Sequence, residues 1–169
     1  MTHAKLLAAE LLSVIVHPTS PPSFSLPRRC PSSITRTEIL GIVVSLEAKP
    51  RFLKFTWASA QACHLLDSPL LKFLLDDGTG CVPCILWLNP RLPPSDHDPT
   101  PEILRLQARR VRLGEQLRVR GRITVYRGML QITVGDVLVE KDPNMETFHR
   151  LDCLRIAKRC YGLAKDDLG

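Results

Sequence analysis

The residues best suited to chemistry are arginines that recur at every second position of one segment. Arg118, Arg120 and Arg122 alternate with apolar residues or glycine, and Tyr126 follows with the same parity. Side chains of one parity share a face of a β-strand, so the segment predicts a strand with a basic face. Binding of single-stranded nucleic acid requires cations along the phosphate backbone and flat rings for the bases. The same pattern also fits a solvated strand face without a ligand.

Positive charge is concentrated around this predicted strand. The 169 residues carry a net charge of +6. Between Arg105 and Arg127 there are eight arginines and a single acidic residue, Glu115, so the remainder of the chain is close to neutral. A localised basic segment of this kind favours an anionic partner.

The other residue groupings give no catalytic or metal-binding pattern. Cys81-Val-Pro-Cys84 has a ligand-like spacing, but a structural zinc site usually needs two such pairs, and Cys153 and Cys160 are seven residues apart. Residues three apart in a strand also point to opposite faces. The sequence shows no phosphate-binding loop, nucleophile elbow or paired-carboxylate helix. We therefore expect a binding protein with no cofactor and no metal, and not an enzyme.

The elements that must position these residues follow one another in a recognisable order. Three strands, a bridging helix, two strands and a terminal helix indicate a mainly β protein with a five-stranded OB-fold barrel, a bridging helix and a C-terminal α-helix. A small SH3-like barrel would give similar signals. The strands are expected at Glu38–Leu46, at either Arg51–Thr56 or Leu70–Leu75, and at Cys81–Leu88, Gln116–Tyr126 and Met129–Glu140, with helices at Thr100–Arg112 and after Asp142-Pro143.

Two apolar patterns bear on packing. In the first strand, the apolar residues of one parity are Leu40, Ile42, Val44 and Leu46. In the terminal helix, helical spacing predicts an apolar stripe that either closes the open end of the barrel or binds a partner. The stripe consists of Met145, Phe148, Leu151 and Leu154, continued by Ala157.

Two proline clusters divide the chain. We expect an N-terminal arm and proline-rich linker over 1–34, the OB-fold domain over 35–141 and the C-terminal helix over 142–169. The apolar run from Leu6 to Val16 is far too short to span a bilayer, so no membrane association is expected. The interpretation is a soluble intracellular protein with reduced thiols.

Three segments in this order resemble a known family. Leu75-Asp-Asp-Gly-Thr-Gly-Cys-Val-Pro-Cys-Ile-Leu-Trp87 resembles the strand-turn-strand of the middle subunit of replication protein A, and more closely that of its telomeric relative, the STN subunit of the CST complex. Gly114–Gly128 resembles the family's fourth strand and turn, and Asp142–Asn144 its exit into the last helix. The opening Thr2–Leu7 resembles the plant branch, which consists of the OB domain alone.

The resemblance implies a function and its partners. CST binds single-stranded G-rich telomeric DNA, protects chromosome ends and supports C-strand fill-in by DNA polymerase alpha–primase. The implied partners are the small TEN subunit, the large CTC subunit and the DNA, with polymerase alpha–primase as a further one. The implied location is the telomeric region of chromosomes in the nucleus. The alternatives are an OB-fold protein-interaction scaffold without DNA binding of its own, and a protein like the middle subunit of replication protein A.

The resemblance also implies roles for individual residues. Trp87 matches a family aromatic associated with DNA contact, so the implied DNA surface is Trp87 with the arginine face and Tyr126. Animal relatives carry a DNA-contacting arginine at the position of Thr124. The terminal helix docks on the TEN subunit in this family.

An insertion sets this chain apart from that family. The family runs directly from a strand like Arg51–Thr56 into the Asp-Asp-Gly-Thr-Gly turn, whereas here residues 57–73 intervene and end in Leu71-Lys-Phe73, which repeats Leu53-Lys-Phe55. We interpret 57–73 either as an intron read as protein, which we favour, or as a looped-out insertion whose end supplies the second strand.

Overall fold

A computed structural model describes residues 3–27, 33–49, 70–88 and 100–162. These residues form eight strands and three helices. The strands are β1 (Ala4–Lys5), β2 (Ile15–His17), β3 (Ser23–Ser25), β4 (Arg36–Lys49), β5 (Leu70–Asp76), β6 (Cys81–Trp87), β7 (Gln116–Tyr126) and β8 (Met129–Val139), and the helices are α1 (Ala8–Leu12), α2 (Thr100–Arg110) and α3 (Asn144–Gly162).

Five of the strands pair in a closed ring. The order is β4, β5, β6, β8, β7, and β7 pairs back with β4. All of these pairings are antiparallel except β6 with β8, which run parallel through Cys84–Ile132 and Ile85–Thr133. The ring with a helix between β6 and β7 is the expected OB topology. The predicted fold class is therefore confirmed.

The long strand β4 serves two neighbours because it bends at a bulge. Its first half, from Arg36 to Ile42, pairs with β7, and its second half pairs with β5. The register shifts between Val43 and Ser45. Before the shift, the odd-numbered Ile39 and Val43 enter the core and Ile42 is exposed, whereas after it the even-numbered Leu46 packs against the core. The sequence pattern predicted no bulge. It placed Leu40, Ile42, Val44 and Leu46 on one apolar face, but Ile42 and Val44 are exposed, so these four residues do not form one buried face.

A second bulge lies on β8, where this strand pairs with β7, which carries the predicted arginine face and is called the arginine strand below. On β8, Val134 and Asp136 pair with Gly121 and Arg120, which leaves Gly135 without a partner. A methyl group at Gly121 would overlap the Thr133 carbonyl oxygen and lie 2.6 Å from the Ile132 Cγ2 atom. Gly121 is therefore required by the close approach of the two strands.

The described part of the N-terminal segment belongs to the barrel. Strand β1 pairs in parallel with β4 at Thr37 and Glu38. The side chains of Leu6 and Leu11 are at most 1% exposed and lie in the same core cluster as Val119. The region expected as an arm thus closes part of the hydrophobic core, because the barrel by itself leaves apolar side chains to cover.

The second strand of the barrel is built from the later of the two similar sequence copies. Leu70–Asp76 pairs along its length with β4 and with β6. Leu71, Phe73 and Leu75 point into the core, as the strict alternation of the segment requires. The earlier copy and most of the interpreted insertion, residues 50–69, lie outside the described residues.

Gly121→Ala should destabilise the fold by about 2 kcal/mol, because the added methyl group meets backbone on the neighbouring strand. The matched control is Gly135→Ala, where the new methyl group would lie 3.7 Å from the Arg120 carbonyl oxygen, an ordinary contact. Urea unfolding of both variants measures the difference. Equal stabilities would contradict the close approach of β7 and β8.

Candidate nucleic-acid and partner interfaces

The predicted arginine face lies on the outer wall of the barrel, but two of its three arginines are committed to ion pairs. Arg118 donates to Glu38 at 3.0 Å and to Glu140 at 2.9 Å. Arg120 donates from Nε to the second oxygen of Glu38 at 2.6 Å. The side chain of Arg118 is only 12% exposed. Arg118 therefore has a structural contact that the sequence did not predict.

Glu38 is the centre of this network. It is 4% exposed, and burial by itself raises the pKa of its carboxyl, but hydrogen bonds and charges from Arg120 and Arg118 outweigh burial and lower this pKa from its usual value. Sequence reasoning missed Glu38. A lone carboxylate in the apolar strand Glu38–Leu46 was the available signal, since a buried charge needs a partner.

Arg122 is the exposed member of the arginine set. Within the described part of the chain, no carboxylate lies within 4.0 Å of it. The register places it opposite Thr133, with Ile85 and then Lys72 following on the next strands. These residues form one row across the outer wall, which we call the basic row.

The two predicted aromatic residues lie at different places on this wall. Trp87 is 45% exposed and follows Ile85 by two residues on β6, next to the basic row. Tyr126 is 49% exposed and lies four residues beyond Arg122, about 13 Å along the strand. The Arg127 guanidinium carbon lies 5.4 Å from the centre of the Tyr126 ring. Trp87 thus lies on the same wall as Arg122 but two strands away from it, and Tyr126 lies at the β7–β8 turn.

The C-terminal helix packs on the barrel through a polar side. His149 and Cys153, one turn apart, are 4% and 0% exposed. A His149 ring nitrogen lies 3.4 Å from the carbonyl oxygen of Leu6, and the other ring nitrogen lies 4.0 Å from Glu38. Burial lowers the pKa of His149. Lys5 adds a contact at 2.6 Å to Asp152.

The predicted apolar stripe of this helix faces away from the barrel. Phe148, Leu151 and Leu154 are 57%, 51% and 53% exposed, and Met145 is half-buried. These three exposed residues recur every three positions, so they form one open ridge on the helix. The stripe therefore does not close the barrel, and its exposure leaves it available to a partner.

The Asp-Asp-Gly-Thr-Gly turn joins both ends of the chain to the barrel. Asp77 accepts a hydrogen bond from the backbone N–H of Ala8 at 2.7 Å, and Thr79 accepts one from the N–H of Ala9 at 3.0 Å. Arg150 of α3 donates to the carbonyl oxygen of Asp77 at 2.9 Å. The turn supplies acceptors for the first N–H groups of α1 that Leu7 cannot cap, while Glu10 accepts the N–H of Leu7 itself.

The sequence relatives of the chain decide its family. No protein-family model matches the chain. The CST complex subunit STN1 of Arabidopsis thaliana is 39% identical over 167 residues, which cover 95% of this chain and 92% of that protein. This chain belongs to the STN1 family. The predicted resemblance is confirmed.

Solved structures support the fold of this STN1-family chain. The S. pombe Stn1–Ten1 complex contains a chain that matches it with a TM-score of 0.71, 12% identity and 99% coverage of both chains. A replication protein A heterotrimer bound to single-stranded DNA matches with a TM-score of 0.62, 17% identity, and coverage of 95% of this chain and 98% of that one. At these identities the likeness shows the shared OB fold.

The two cysteines of β6 in this STN1-family chain differ in their surroundings. Cys81 is exposed and Cys84 is buried, on opposite faces of β6, and burial raises the pKa of the Cys84 thiol. Nowhere in the described ranges do three or more His, Cys, Asp or Glu side chains group so that they could hold a metal ion. None of the described helices has the length and apolarity needed to cross a membrane.

Arg118→Met should cost about 3 kcal/mol of unfolding free energy, because it leaves the buried Glu38 with one partner fewer. Arg122→Met, the matched control on the same strand face, should change stability by less than about 0.5 kcal/mol. Chemical denaturation of both variants measures the contrast. If Arg118→Met is as stable as the control, the Glu38 network does not contribute to the free energy of unfolding.

Proposed function

We propose that this STN1-family chain is a telomere-capping subunit of a CST complex. In this proposal it binds single-stranded G-rich telomeric DNA together with its partner subunits, protects chromosome ends and supports C-strand fill-in. It acts as a binding subunit and carries out no catalytic step. The location that follows is the telomeric region of chromosomes in the nucleus.

The observation that carries the DNA-binding part is the junction of Trp87 with the basic row. An exposed indole two residues along β6 from the row that holds Arg122 and Lys72 offers a stacking surface on the same wall as cations, as single-strand binding requires. A replication protein A heterotrimer bound to single-stranded DNA shares this fold. The glutamate-bound Arg118 and Arg120 contribute less, so we assign the DNA contact primarily to Trp87 and Arg122, with Tyr126 extending the surface.

The exposed ridge of α3 is the proposed docking surface for a small TEN subunit. Phe148, Leu151 and Leu154, with Met145 at the edge, expose apolar area that has no cover in the described chain. The fold neighbour from S. pombe is a complex of Stn1 with Ten1. The large CTC subunit and DNA polymerase alpha–primase complete the proposed set of partners.

Leu151→Gln should weaken association with a TEN-like subunit by about tenfold or more, because it removes an apolar anchor from the ridge. The matched control is Leu106→Gln, which changes a leucine of similar exposure, 48%, on α2. Co-expression followed by size-exclusion chromatography and calorimetry measures both. A retained complex with Leu151→Gln, or equal losses in both variants, would place the interface elsewhere.

Arg122→Ala in the complex should reduce the salt dependence of DNA binding by about 0.7 in the slope of log K against log salt, as expected for one lost phosphate contact. Arg109→Ala, an exposed arginine on α2, serves as the control. Fluorescence anisotropy on a G-rich single strand over a salt series measures the slope. An unchanged slope for Arg122→Ala would remove this residue from the DNA surface.

A scaffold without DNA binding of its own is the second candidate. The ion pairs of Arg118 and Arg120 with Glu38, together with threonine at position 124, reduce the number of cations available on the arginine face. The same anisotropy series separates the two functions. A stable heterodimer that shows no salt-sensitive DNA binding would favour the scaffold.

A further inference from the structure

A pocket of about 440 Å³ opens at the middle of β7, where this strand meets the start of β4 and the bulge of β8. Three arginines and one carboxylate contribute to its walls. Gly121 and Gly135 also line it and present backbone rather than side chains. The lining residues are His3, Arg36, Arg120, Gly121, Arg122, Thr133, Val134, Gly135 and Asp136.

Arg36 and Arg122 form an unbalanced pair within this pocket. They are directly opposite each other in the β4–β7 ladder, which puts their Cβ atoms about 4.5–5.5 Å apart. Like charges in this position destabilise a sheet. Within the described part of the chain, no carboxylate lies within 4.0 Å of either guanidinium group.

The next two positions of the same ladder are built differently. Arg120 lies opposite Glu38 and is bonded to it, and Arg118 is bonded to the same carboxylate. Arg118 and Arg120, which join the strands of the barrel, are therefore neutralised by a carboxylate. Among the residues that line the pocket, three arginines outnumber the one carboxylate, Asp136, so the lining carries a net positive charge.

We propose that Arg36 and Arg122 together bind a phosphate group of the single-stranded DNA. Two guanidinium groups can donate several hydrogen bonds to one phosphate. The anion would also relieve the repulsion between the two arginines. The pocket is large enough for a phosphate with its attached sugar, and the exposed Gly135, which has no side chain, allows the DNA strand to approach the backbone.

The position of the pocket extends the proposed DNA path. Thr133 lines the pocket and also lies in the basic row, opposite Ile85. Trp87 follows Ile85 by two residues, so a strand stacked on Trp87 can cross the row and place a phosphate between Arg36 and Arg122. The inference rests on the proposed DNA-binding function, and it adds Arg36, which sequence reasoning did not nominate.

The test uses the full chain in complex with its TEN-like subunit and a G-rich single strand of about 18 nucleotides. Arg36→Ala should weaken binding on the order of tenfold and lower the salt slope by about 0.7. Arg112→Ala, an exposed arginine outside the pocket, should change neither. Arg36→Lys should recover the salt slope but not the full affinity, because an ammonium group lacks the guanidinium fork.

A second measurement follows the Arg36 and Arg122 side-chain signals of the full chain by NMR during titration with 5′-phosphorylated dithymidine and, separately, with inorganic phosphate. Saturable shifts of both signals with the dinucleotide support the proposed phosphate site. An equal response to inorganic phosphate identifies a free anion rather than the DNA strand as the ligand and overturns the proposal. Unshifted signals also overturn it.

Failure of this inference differs from failure of the proposed function. If the wild-type complex binds the G-rich single strand and Arg36→Ala binds it as Arg112→Ala does, the proposed phosphate site is wrong, but the proposed DNA-binding function is retained. If the wild-type complex does not bind the G-rich single strand, the DNA-binding function fails and the phosphate site in the DNA path fails with it. Thermal unfolding should show that Arg36→Ala is as stable as the wild type or more so, because it removes a like-charge pair.

Discussion

The buried carboxylate of Glu38 is the interaction on which much of this structure depends. The carboxylate receives hydrogen bonds from two arginines of β7, and the ring of His149 lies 4.0 Å away from it. The backbone carbonyl oxygen of Glu38 accepts a hydrogen bond from the N–H of Leu6. A charge in this position is costly unless it is fully paired. The arginine bonds join the first barrel strand to β7, the bond from Leu6 joins the N-terminal segment to the same residue, and His149 places the terminal helix beside it. Removing Arg118 or Arg120 would leave the buried carboxylate with one charged partner fewer.

Glu38 also divides the arginine face by function. Arg118 and Arg120 are held by carboxylates, whereas Arg122 and Arg36 face each other without one in the described chain. Arginines that look equivalent in the sequence thus fall into two groups: Arg118 and Arg120 stabilise the fold, and Arg122 has no carboxylate partner in the described chain. Trp87 is exposed on the same outer wall. In the proposed function, affinity for an anion and stability of the fold come from different members of one alternating series.

The terminal helix shows a similar separation of roles. Its barrel side uses His149, Cys153 and Arg150, and its outer side keeps an exposed apolar ridge. A helix held by polar contacts can leave its most hydrophobic residues for another protein. The Asp77 turn reinforces this arrangement, because one residue caps α1 through its side chain and receives Arg150 through its carbonyl oxygen. The Asp-Asp-Gly-Thr-Gly motif thus has a structural function in this chain.

The sequence by itself determined the order of the barrel strands, the buried parity of β7, the helix after Asp142-Pro143 and the family, because these depend on local periodicity, turn residues and ordered motifs. Tertiary structure decided what pairs across long separations. Arg118 and Glu38 are 80 residues apart, so no local pattern could show that this arginine is structural or that Arg36 meets Arg122. Periodicity found the stripe of α3 but not the side that packs, because Glu38 and the Leu6 carbonyl oxygen select polar partners. Strand pairing likewise places Leu70–Asp76 beside β4, which the repeated Leu-Lys-Phe pattern in the sequence left undecided.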